Sequence, residues 1–152
     1  MDIFELRVLQ SFPNLNSKGY KITSPRTTSY NCFAWATGDD KRRWEPDLQF
    51  QYYWPSDIPR EFTIEAFIAL FKKFGYAECK DDSLEKNYEK IAIYTNTQNI
   101  PQHAARQLYS GKWTSKLGDF HDIEHTLDGL EGNLYGKVKV IMKKEIKKYA
   151  SA

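Results

Sequence analysis

Cys32 and His103 are the residues in this chain best placed to do covalent chemistry together. Cys32 stands in Tyr30-Asn31-Cys32-Phe33-Ala34-Trp35-Ala36-Thr37-Gly38. Asn31 is a good helix cap, the residues after it are apolar, and Gly38 suits the position just past a helix end. The pattern predicts a short buried helix with Cys32 in its first position. Unpaired N–H groups in a first helical turn carry partial positive charge, which favours a thiolate and can hold an oxyanion. A base is then needed. His103 starts a predicted strand and is followed by Ala104 and Ala105, whose small side chains let another element pack closely. A strand histidine facing the start of that helix would form a Cys–His dyad. The plainer alternative is that Cys32 is inert core packing and His103 a structural hydrogen-bonding group. Cys79 lacks a helix start and is the weaker thiol candidate.

Several elements must position these two residues. Residues 3–11 predict a short helix stopped by Pro13, and residues 14–30 an extended polar loop. Thr63 caps the clearest helix, in which Ile64, Phe67, Ile68, Phe71 and Phe74 share one face and Gly75 ends the run. Residues 76–79 read as a short strand. Ile91–Tyr94, His103–Leu108, Trp113–Leu117 and Val138–Met142 read as further strands, with a hairpin turn at Tyr109-Ser110-Gly111-Lys112. The expected fold class is α+β: N-terminal helices packed on an antiparallel sheet, in a single domain spanning 1–152. A two-residue Ser110-Gly111 turn would put Ala105 opposite Lys116 and His103 opposite Gly118. Neither could orient an imidazole by accepting a hydrogen bond. The nearest acceptors lie just beyond, with Asp119, Asp122 and His125 as candidates.

Composition limits the alternatives. The chain has 152 residues, 22 basic against 20 acidic, and a net charge of +2. That balance excludes a strongly basic nucleic-acid binder and an acidic disordered chain. No apolar run is long enough for a membrane span, and the N-terminus has no signal-peptide pattern. A cytoplasmic protein is expected, or an effector delivered by other means. Two cysteines are too few for a disulfide framework. Segment 137–152 reads as a basic C-terminal strand and tail, with Lys137, Lys139, Lys143, Lys144, Lys147 and Lys148 against Glu145. The reading is a solvated edge strand whose charges discourage edge pairing. His121-Asp122-Ile123-Glu124-His125 matches the H-x-x-E-H zinc pattern, which needs a helix to put both histidines on one face. The segment lacks helical periodicity and reads as a polar turn, so no metal and no cofactor are assigned. The aromatic stretch 44–59 (Trp44, Tyr52, Tyr53, Trp54, Pro55) is read as either a substrate-stacking groove wall or a loop sheltering its own rings.

The segments YNCFAWA (30–36), YWP (53–55), HAARQL (103–108) and WTSKLG (113–118) resemble those of an uncharacterised bacterial family, over about residues 20–142. In order and context the chain also resembles the compact papain-like fold of NlpC-type and CHAP-type cysteine peptidases and amidases. That resemblance implies Cys32 as nucleophile, His103 as general base, and a third polar residue that orients the base. His125 is favoured for this role, because Cys-His-His sets occur in NlpC-type enzymes; Asp122 is the next candidate. Asn31, Trp54 and Lys116 are the candidate substrate-binding residues, Lys116 through a carboxylate. The implied activity is hydrolysis or acyl transfer at an amide, with a peptide or modified protein as substrate and no cofactor. The alternatives are a non-catalytic binding domain on the same fold and a small zinc protein built on 121–125.

Overall fold

The computed structural model describes residues 2–146. Among the described residues four α-helices are present: α1 (Ile3–Ser11), α2 (Pro13–Lys18), α3 (Cys32–Ala36) and α4 (Ile64–Lys73). Seven strands follow the chain as β1 (Tyr20–Ser24), β2 (Ala77–Cys79), β3 (Tyr88–Thr95), β4 (Pro101–Gln107), β5 (Trp113–Lys116), β6 (Asp122–His125) and β7 (Lys137–Glu145), with one 3-10 turn at Leu127–Leu130. The strands form one antiparallel sheet in the order β1-β6-β5-β4-β3-β7-β2. The expected α+β class is observed.

Both faces of the sheet are covered. On one face lie α3 and α4, where Phe33, Ala34, Phe67 and Phe71 pack on Ile91, Ile93, Ala104 and Met142. On the other lie α1, α2 and the 3-10 turn, where Val8, Phe12, Leu15 and Leu130 pack with Ala92, Tyr94, Ala105, Trp113 and Ile123. Alternate residues of one strand serve opposite faces, so β3 splits Ile91 and Ile93 from Ala92 and Tyr94. α4 forms for the reasons its sequence suggests. The Thr63 side chain accepts the Ala66 N–H, Lys72 and Lys73 occupy the last turn, and Gly75 follows in a left-handed conformation.

Three expectations are corrected. Residues 14–30 are not one loop, because Pro13 starts α2 at a position where its missing N–H costs nothing, and β1 follows. β1 is largely exposed and shows no alternation of apolar residues to read. Residues 122–125 are not a turn. They form β6, bonded to β1 and β5 on its two sides, and its buried positions include the polar Asp122 and His125. β7 is not an edge strand, since β3 pairs along its length and β2 pairs at Ile141–Lys143. Residues 147–152 of the expected basic tail lie outside the described residues.

The β4–β5 hairpin also differs in a way that matters for chemistry. Its loop has three residues, Tyr109-Ser110-Gly111. The Leu108 N–H donates to the Lys112 carbonyl, and Gly111 is left-handed at φ 90°. The register is therefore Arg106 opposite Thr114 and Gln107 opposite Trp113. This is one residue from the register a two-residue turn would set, and a one-residue slip moves every side chain to the other face.

Candidate active site around Cys32 and the buried histidines

Asn31 builds the start of α3. Its Oδ1 accepts the Ala34 N–H at 3.2 Å and the Trp44 N–H at 3.0 Å, and its Nδ2 donates to the Trp44 carbonyl at 2.8 Å. The side chain both caps the helix and ties the aromatic segment to it. This holds Cys32 in the first helical position as expected. The β4–β5 ladder pairs only at Arg106 and Gln107, which leaves the Ala104 N–H free of a β5 partner. The backbone N–H groups of Ala104, Phe33 and Cys32 itself each favour the thiolate form of Cys32. Burial nonetheless dominates and pushes the Cys32 thiol up to about 12. The resting sulfur is a thiol.

His103 lies opposite Tyr94 in the β3–β4 ladder, and Ala104 opposite Ile93. His103 therefore occupies the face of Tyr94 and Ala105, whereas Cys32 packs on the face of Ala104. This corrects the expectation that His103 faces the start of the helix. The two residues meet β4 one position apart and from opposite sides, and among the described residues no hydrogen bond joins them. The His103 ring is fully buried, stacked on Tyr135 at 4.1 Å between centroids and edge-on to Tyr94. Its Nε2 lies 2.8 Å from Ser115 Oγ, which lies 2.7 Å from His125 Nε2, and His125 Nδ1 lies 2.6 Å from the Thr126 carbonyl. His103 Nδ1 has no partner among the described residues. Desolvation holds His103 far below the usual imidazole range, with His125 adding in the same direction. Burial lowers His125 to about 4.

Of the third-group candidates, the structure brings His125 to His103 through Ser115. Ser115 was not among the sequence candidates; a three-residue Gly-ended loop would have revealed it, since that register puts Ser115 on the His103 face. Asp122 lies on the other face, where its Oδ2 accepts the Tyr30 O–H at 2.5 Å and its Oδ1 has no partner among the described residues. Asp119 pairs with Arg43 at 2.9 Å.

The substrate-binding candidates have structural partners instead. Asn31 is committed to its cap. Trp54 is buried against Phe67 and donates its indole N–H to the Pro59 carbonyl, so the sheltering reading of the aromatic segment holds at Trp54 and at buried Trp44. Lys116 is buried, with its ammonium donating to the Gly118 and Phe120 carbonyls and facing the Tyr30 ring. Two of its three N–H donors are taken by turn carbonyls, and its burial keeps a substrate carboxylate away from it. The H-x-x-E-H segment is strand, which removes the helical face that motif requires. Among the described residues no three His, Cys, Asp or Glu side chains converge as metal ligands, and no helix is long and apolar enough to cross a membrane.

Residues 21–143 match the DUF7689 family, a domain of unknown function. The chain belongs to this family. The DUF7689 region runs from β1 into β7, so it contains Cys32, His103, Ser115 and His125 and the whole sheet except Tyr20 of β1 and Lys144 and Glu145 of β7. No curated protein and no solved structure matches the chain.

Proposed function

We propose that this DUF7689 domain is a thiol-dependent hydrolase or acyltransferase acting at an amide bond, on a papain-like scaffold. Cys32 is the nucleophile and His103 the base. The observation that carries the reading is the place of Cys32 in the first position of the Asn31-capped α3, packed with Ala104 of β4, where the backbone N–H groups of Ala104, Phe33 and Cys32 favour its thiolate. Those donors stabilise negative charge, first on sulfur and then on a carbonyl oxygen. Catalysis begins when the Cys32 S–H proton passes to His103 Nδ1, which requires the sulfur and the ring to come into contact across the open part of the β4–β5 ladder. The sulfur forms a bond to the carbonyl carbon, and the carbonyl π pair moves to oxygen. Collapse expels the amine, which takes the proton from Nδ1. Nδ1 then removes a proton from water, or from an acceptor nucleophile, whose attack on the thioester releases the acyl group and returns the proton to sulfur.

An activated ester tests this without knowledge of the substrate. With p-nitrophenyl acetate, an acetyl adduct on Cys32 is expected by peptide mass mapping. His103→Ala should lower its formation rate about 100-fold or more, the usual scale for loss of a general base. Equal rates in both proteins would end the catalytic reading.

A second reading is favoured by one observation, the burial that holds the Cys32 thiol at about 12 with no hydrogen bond to His103. In that reading the domain is a non-catalytic binding module, Cys32 is packing, and the histidine network is structural. It predicts no adduct on native Cys32.

A further inference from the structure

Hydrogen-bond direction can be followed along the buried chain from a fixed end. The Thr126 carbonyl can only accept, so His125 Nδ1, 2.6 Å away, carries the proton. His125 is buried and neutral, so its Nε2 is a lone pair and must accept. Ser115 Oγ lies 2.7 Å from it and has a single proton, which it therefore donates to His125. The same oxygen, 2.8 Å from His103 Nε2, is left with lone pairs on that side. His103 Nε2 must then carry a proton, and a neutral ring with Nε2–H has a bare lone pair at Nδ1. That Nδ1 is buried and has no partner among the described residues.

We infer that Ser115 is a positioning residue, which transmits the direction set by Thr126 and His125 and fixes His103 as the Nε2–H tautomer with Nδ1 as its free acceptor. The inference rests on the proposed thiol chemistry for its purpose but not for its existence. The relay does two things for a base. It aims the only available lone pair away from the network, and it supplies an oxygen acceptor for Nε2–H when Nδ1 takes a proton. No carboxylate takes part, so the stabilisation of the resulting imidazolium is that of a neutral hydroxyl, weaker than a charged partner would give. Tyr135 stacked flat on the ring and Tyr94 against its edge prevent the imidazole from flipping.

The test is nitrogen NMR of the intact chain labelled with 15N-histidine at pH 7, with His121 and His125 assigned by substitution. The expected His103 pattern is a pyrrole-type Nε2 and a pyridine-type Nδ1. A pyrrole-type Nδ1 would overturn the relay. Ser115→Ala should convert His103 to a mixture of tautomers and slow Cys32 acetylation by about 10-fold or more; Ser115→Thr, which retains the hydroxyl, should restore the single tautomer. If Ser115→Ala fails to fold, the wild-type spectrum and Ser115→Thr still decide. The expected tautomer together with an inert Cys32 would sink the catalytic reading alone. A reactive, His103-dependent Cys32 with the reversed tautomer would sink the relay alone.

Discussion

Lowering the pH from 7 to 4 destabilises the fold by about 3 kcal/mol through His125 alone. The folded-state value of His125 is lowered to about 4, against about 6.5 in an unfolded chain. The unfolded state therefore binds the proton first. Stability is full above pH 6.5, falls as pH drops through the window between the two values, and levels off below the folded value. His103 is lowered in the same direction by its own burial and steepens the loss. Domains of this size are stable by only about 5–15 kcal/mol, so the two histidines together remove a large share of the stability as pH falls toward 4. Urea titrations at half-unit pH intervals measure it. His125→Gln, which can accept the Ser115 proton but does not ionise, should flatten the slope between pH 6.5 and 4.5. An unchanged slope in that variant would show that His125 does not carry the effect.

Tyr30→Phe is expected to cost about 3 kcal/mol, because it leaves a buried carboxylate without its hydrogen bond. Asp122 is fully buried, its Oδ1 has no partner, and the Tyr30 hydroxyl is the sole donor to Oδ2 among the described residues. Burial and this bond hold the Tyr30 hydroxyl well above its ordinary range, so it remains a donor at all working pH values. Adding Asp122→Asn to Tyr30→Phe should recover part of the loss, since an amide is cheaper than a carboxylate to leave unpaired. Denaturant unfolding of the two variants and the wild type gives the comparison. A cost below 1 kcal/mol for Tyr30→Phe would mean that other donors satisfy Asp122.

Helices with caps and apolar periodicity were legible from sequence, as α3 and α4 show: Asn31 and Thr63 bond where the cap rule puts them. The central strand β3 was legible from β-branched and aromatic content, and β4 from the hairpin signal at Tyr109-Ser110-Gly111-Lys112 that follows it. β6 was not, because its inward positions include an aspartate and a histidine, and polarity concealed a buried strand. The site was half legible. Cys32 at a helix start and His103 on a strand could be read directly. The face on which His103 lies depends on register, and register depends on one loop residue between Leu108 and Lys112. That single residue also hid Ser115 and put Lys116 in its place.

The pH dependence of Cys32 alkylation by iodoacetamide, compared between wild type and His103→Ala, tests the central claim most directly. A thiol held near 12 by burial that reacts unaided follows its thiolate fraction, so its rate climbs about tenfold per pH unit across pH 6 to 9. A thiol that gives its proton to His103 as the new bond forms depends on a base that is already neutral throughout that range. The account predicts a nearly flat profile in wild type and a tenfold-per-unit climb, from a much lower rate at pH 6, in His103→Ala. The same steep climb in both proteins would contradict it.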